Sequence, residues 1–249
     1  DQTGTEKTVI TIGASTSPHA EILEYAQPYL EEKGYTLKID IYSDYVLPNT
    51  AVQSGELLAN FFQHQPYLTQ FNKDNGTDLV SVGSIHYEAF AIYSETVTDV
   101  ANVSADATVA IPNDGSNRAR ALLLLQDAGL VELKDGGSVS STKEDVLPSS
   151  KLSKDNIREM EAALLPEAMK EVTLAVINGN YALTNQVDTS KAILIEEASV
   201  AAAEYANVLC VKRGNEEDPR VVALLEALTS RKVKDFIEQK YNGFVVAVF

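Results

Sequence analysis

Thr108-Val-Ala-Ile-Pro-Asn-Asp-Gly-Ser-Asn-Arg-Ala-Arg-Ala-Leu-Leu-Leu-Leu-Gln-Asp-Ala-Gly129 runs from a short apolar stretch through a polar turn into a helix-length stretch. Thr108–Pro112 reads as a strand, and Ser116–Ala128 as a helix closed by Gly129. A strand, a turn and a helix in direct succession are the unit of α/β construction on largely parallel sheets. The same alphabet is found upstream. Thr8–Gly13 and Thr36–Tyr42 read as strands, and Pro18–Lys33 between them carries Ile22, Ala26, Tyr29 and Leu30 at helical spacing. Ala51–Leu57 reads as a short helix, Leu58–Phe62 as a strand, Pro66–Asn75 as a helix and Leu79–Ile85 as a strand.

Downstream, the stretch 135–154 is rich in Gly, Ser and Lys and reads mostly as loop. Asn156–Ala162, Val172–Ile177, Ala192–Ile195 and Asn207–Lys212 read as strands, with a short helix at Leu164–Lys170. Helices at Pro219–Leu228 and Lys232–Tyr241 precede a last apolar strand from Val245. Two successive α/β units imply two lobes with a ligand cleft between them. Residues 8–90 with 208–249 form the first lobe and 91–207 the second, with crossovers near 87–95 and 204–213. Residues 1–7, polar and Gly/Thr-rich, read as a flexible tether.

Composition narrows the function. The 249 residues are 45% hydrophobic and 22% charged, which fits an ordinary globular chain and neither disorder nor a fibrous repeat. Thirty-six acidic residues against 20 basic ones give a net charge of −16, which argues against nucleic acid, since that partner needs a basic surface. No apolar run reaches the ~18 residues of a spanning helix. The one cysteine, Cys210, excludes an internal disulfide framework and a CxxC motif, and it reads as a small core residue.

In open α/β sheets ligands bind beyond the carboxyl ends of strands, so the residues found there are the candidates. Asn117 and Arg120 share a helical face and suit a ligand carboxylate, Arg supplying a forked, charge-assisted pair. Alternatively, Arg118 and Arg120 form salt bridges on a solvated helix and Asn113 caps a turn. Phe61–Tyr67 gathers four rings in seven residues, either an apolar pocket or ordinary core. His86 and Glu88 point to the same side of an extended chain and would need a third ligand, His64 or His19, to hold a metal. Asn178, Asn180 and Asn207 are turn residues or, in a pocket, donors and acceptors suited to a zwitterion. Nucleophile elbow, phosphate loop, zinc-protease and dinucleotide motifs are all missing, so no catalytic residue and no cofactor is assigned.

Five motifs then occur in order: Asp44-Tyr-Val-Leu-Pro-Asn49, Phe62-Gln-His-Gln-Pro-Tyr-Leu68, Pro112-Asn-Asp114 with Asn117–Gln126, Leu174-Ala-Val-Ile-Asn178, and Tyr241-Asn-Gly243. From about Thr8 to Phe249 the chain closely resembles the NlpA/MetQ-like family, the methionine-binding lipoproteins of bacterial ABC importers. The resemblance implies a periplasmic-binding-protein-like fold and an extracytoplasmic, membrane-anchored lipoprotein that is not an enzyme. Such a protein captures L-methionine and delivers it to a permease with its ATPase subunit. By the family's pattern Arg120 holds the α-carboxylate, and Asn178 and Asn207 hold the amino and carboxylate ends. Phe62, Tyr67 and His86 line the side-chain pocket, with Tyr45, His64 and Glu88 nearby, and Asn113 and Asn117 shape the carboxylate loop. The family's N-terminal lipid anchor is inferred, since the chain starts at Asp1. Many members carry a proline after the segment matching His86-Tyr-Glu88, where this chain has Ala89 and Phe90. A second class stays open: a zinc receptor or metal-dependent hydrolase using His64, His86 and Glu88.

Overall fold

A computed structural model describes residues 7–249, and most of the expected tether, residues 1–6, lies outside the described residues. The chain opens with strand β1 (Thr8–Ala14), helix α1 (Glu21–Glu32) and strand β2 (Tyr35–Ile41). Helix α2 (Leu47–Ser54), strand β3 (Ala59–His64), helix α3 (Gln65–Asn75) and strand β4 (Leu79–Glu88) follow. Helix α2 begins four residues earlier than its apolar pattern suggests, because Pro48 suits a first turn that lacks intrahelical N–H partners. It stops at Gly55, whose φ of +84° lies in the left-handed region that glycine enters without strain.

The middle of the chain supplies strand β5 (Ala91–Tyr93), strand β6 (Val109–Pro112), helix α4 (Gly115–Asp127), strand β7 (Ile157–Met160) and helix α5 (Leu165–Ala168). Strand β8 (Leu174–Ile177), helix α6 (Gly179–Thr184), strand β9 (Ala192–Ile195) and helix α7 (Ala198–Ala201) complete it. Strand β10 (Asn207–Lys212), helices α8 (Pro219–Leu228) and α9 (Arg231–Tyr241), and strand β11 (Val245–Ala247) close the chain.

Two compact units result. One comprises the residues up to Glu88 together with Ser199–Phe249, the other Ala89–Ala198. The chain thus returns to the first unit at Ser199, ahead of the expected 208. Contacts of the preceding loop explain this: Gln65 N donates to Ala206 O at 3.3 Å, and the Tyr205 ring lies 5.3 Å from that of His64.

The first unit's sheet has the order β11-β4-β10-β3-β1-β2, and the second's β7-β6-β8-β5-β9. Both sheets are mixed rather than largely parallel. In the first, β1 pairs in parallel with β2 and β3, while β10 enters antiparallel between β3 and β4. In the second, β6 is parallel to β7 and β8, while β5 is antiparallel to β8 and β9. The reversed strands are β5, where the chain enters the second unit, and β10 and β11, after it has returned to the first, and strand composition carries no sign of direction. Leu122 and Leu125 of α4 pack on Val109, Ile111 and Val176 to make the second unit's core. Val52, Phe62, Leu68, Val208 and Cys210 belong to a core of the first.

Candidate functional site

In the first unit the pleat sends Phe61 and Phe62, neighbours in β3, to opposite faces of the sheet. Phe62 meets Tyr45 and Tyr67, with centroids 5.9 and 6.1 Å away, and those two tyrosine rings lie 5.5 Å apart. Tyr67 sits in the first turn of α3, and its hydroxyl donates to Tyr45 O at 2.7 Å, which fixes the ring cluster. His64 caps the same helix: Nδ1 accepts from Tyr67 N at 3.1 Å, so its side chain is held beside these rings.

Phe61, on the other face, lies 4.8 Å from the His19 ring and 5.2 Å from that of His86. Here a polar network is fully buried. His86 Nε2 donates to Glu88 Oε2 at 2.6 Å, and His19 Nε2 lies 2.9 Å from the same oxygen and 2.8 Å from Asn207 Oδ1. Burial pushes the Glu88 carboxyl up, but the two imidazoles outweigh it and hold the group well below the carboxylate range. Burial pushes His86 down despite the Glu88 hydrogen bond, so the ring is neutral with its proton on Nε2. Asn207, first residue of β10, lies opposite His64 of β3 and His86 of β4 in the sheet register.

This geometry corrects His64 as the third partner in the metal reading. His64 serves α3 as its cap, and the residue that joins His86 and Glu88 is His19. Both contacts to Glu88 have hydrogen-bond lengths, so the three side chains satisfy one another.

In the second unit the segment after β6 behaves as a cap. Asp114, not Asn113, begins α4: its Oδ2 accepts from Asn117 N at 3.0 Å, Asn117 Nδ2 at 2.9 Å and Ser116 Oγ at 3.0 Å. Burial raises the Asp114 pKa against the pull of those donors. Asn113 is exposed, and its N–H donates to Met160 O at 2.9 Å beyond the β6–β7 ladder. Asn117 and Asn178 are joined, Asn178 Nδ2 donating to Asn117 Oδ1 at 3.1 Å.

Arg120 is 4% exposed, so the solvated-face alternative fails for it. Arg118 does pair on the rim, with Glu159 at 3.2 Å. Arg120 Nε and Nη2 donate to Glu196 at 2.9 and 2.5 Å, and its guanidinium carbon stands 4.2 Å from the Phe90 ring centroid. Glu196 N donates to Phe90 O at 2.8 Å, one step beyond the β5–β9 pairing, which sets both side chains against Arg120. Sequence reading missed Glu196, Asp114 and Tyr205 as site residues. Asp114 had a signal, since Asp just ahead of a helix start is a preferred cap; Glu196 is 76 positions from its partner and had none.

The family model for NlpA lipoprotein matches residues 10–249. The chain belongs to this family. It is 40% identical to the methionine-binding lipoprotein MetQ of Bacillus subtilis, over 97% of this chain and 89% of that one. A nutrient binding protein from Burkholderia cenocepacia, solved bound to methionine, is 37% identical with a TM-score of 0.88, covering 96% of this chain and 100% of that one. An ABC transporter periplasmic substrate-binding protein from Coxiella burnetii is 33% identical with a TM-score of 0.86, covering 96% and 99%. Within the family's two-unit α/β architecture, the ring cluster on β3 and α3 and the buried arginine on α4 are this chain's candidate recognition groups.

Proposed function

We propose that this protein is the substrate-binding component of an ABC importer and that its substrate is L-methionine. The carrying observation is the whole-length similarity to a solved relative bound to methionine. The side chains suit the ligand at both ends. A zwitterion is costly to bury unless each charge is paired. Arg120 is buried and positively charged, and Glu196 holds its guanidinium in place through Nε and Nη2. In this reading the guanidinium charge faces the ligand carboxylate, helped by Asn207, while Asn178 and Asn117 serve the ammonium side.

The Phe62, Tyr67 and Tyr45 rings, with His64, receive the thioether, each sulfur–ring contact contributing roughly 0.3–1.5 kcal/mol. The buried pair His86 and Glu88 acts behind Asn207, through His19, and Asn113 lies at the loop's edge. No residue is given a catalytic role and no cofactor is required. The proposal extends to an extracytoplasmic location, an N-terminal lipid anchor, and hand-over to a permease driven by its ATPase subunit.

Titration calorimetry on protein unfolded and refolded to strip bound ligand tests this. L-Methionine is expected to bind at one site per chain, and zinc at none. Zinc binding without methionine binding would overturn the reading.

A further inference from the structure

A carboxamide has a donor end and an acceptor end, and its neighbours decide which end faces a ligand. In the second unit those neighbours form a chain with one possible polarity. Oδ2 of Asp114 is already tied to a backbone N–H, that of Asn117. It acts as an acceptor there, so the Asn117 side-chain atom 2.9 Å away is the donor, Nδ2. Asn117 therefore turns Oδ1 towards Asn178, and the Asn178 atom 3.1 Å from it is Nδ2. The remaining end of Asn178 is the carbonyl oxygen Oδ1. That oxygen is buried and finds no hydrogen-bond partner among the described residues. Asn178 itself is 5% exposed. A buried acceptor without a donor is costly, and a ligand N–H would relieve the cost.

We propose that Asp114 is a positioning residue which, through Asn117, orients Asn178 so that its buried carbonyl oxygen accepts from a ligand ammonium. The inference rests on the methionine reading and deepens it: the protein distinguishes an α-amino acid from the same carboxylic acid without its amino group. Asp114 touches no ligand. Its contribution is to prevent the two amides from rotating, an alternative that would present Nδ2 to the ammonium, donor against donor.

The test compares dissociation constants for L-methionine and for its deaminated analogue, 4-(methylsulfanyl)butanoate. Wild-type protein is expected to prefer methionine by about tenfold or more, the equivalent of one charge-assisted hydrogen bond. Asp114→Gly removes the acceptor while keeping a residue that helix starts tolerate. Asn117→Ala breaks the chain one link later and leaves the cap intact. Asp114→Gly should weaken methionine by about tenfold while the analogue stays within about twofold, so that the preference collapses, and Asn117→Ala should weaken methionine at least as much. Asp114→Asn, which still offers an acceptor oxygen, should restore the preference. Equal weakening of both ligands, or no preference in the wild type, would overturn the positioning role and leave methionine binding standing. Binding of neither ligand by the wild type would defeat the methionine reading and this inference with it.

Discussion

His86 uses its one proton to bond Glu88, and the opposite ring nitrogen, Nδ1, is buried with no partner among the described residues. Charging the ring would bury a cation, so its pKa is held below the ordinary ~6.5. The folded state then takes up this proton less readily than the unfolded one. Stability from this residue is complete above about pH 6.5 and is lost as pH falls below it. Glu88, held below its ordinary 4.5, has the same sign in a lower window: its contribution is complete above about 4.5 and lost on further acidification. Thermal midpoints of the ligand-free protein should therefore be level above pH 7, fall below about 6.5, and fall again below about 4.5. His86→Gln keeps a donor for Glu88 and removes the titrating ring. It should flatten the pH 7.5 to 5.5 segment relative to wild type; an unchanged slope there would show that His86 is not its source.

Between elements, packing decides more than pattern. Gly13 of β1 lies under Tyr42 and Leu57, and a Cβ placed on it would stand 2.9 Å from the tyrosine ring and 2.8 Å from the leucine methyl. Gly13→Ala should cost about 1–3 kcal/mol, the range for overfilling a packed site, and urea unfolding should show it as a lower midpoint with unchanged slope. The sequence carried no warning of this, because the residues that crowd Gly13 lie 29 and 44 positions away. The same distinction separates what could be read in advance from what could not. Strand β10, helix α8 and the strand–turn–helix of β6 and α4 declare themselves through local apolar spacing, caps and glycine stops. Helix α6, six residues long, is too short to show a period, and the antiparallel entry of β10 depends on long-range pairing that no local period encodes. Arg120 and Asn117 could be picked out because they share a helix face just after a strand. The resemblance singled out Asn178, but the orientation of its amide comes from Asp114, 64 positions away.

At the scale of the whole molecule, the proposed recognition groups are the rings and the Asn207 network of one unit and Arg120 and the oriented amides of the other. A ligand stabilises the native state in proportion to its occupancy, about 2.7 kcal/mol at a hundred times the dissociation constant. Saturating methionine should raise the wild-type thermal midpoint by about 5–10 °C, and Arg120→Ala should lose that increment, since the ligand carboxylate would be buried without its charge partner. A full increment in the folded variant would remove Arg120 from the site. The most direct measurement is a crystal structure of the stripped, refolded protein with L-selenomethionine, the selenium located by anomalous scattering. The account predicts one selenium peak per chain within about 5 Å of the Phe62, Tyr67 or Tyr45 rings, with the ligand carboxylate on Arg120 and its ammonium on Asn178 Oδ1. A peak away from those rings, or an ordered ligand whose carboxylate avoids Arg120, would contradict it.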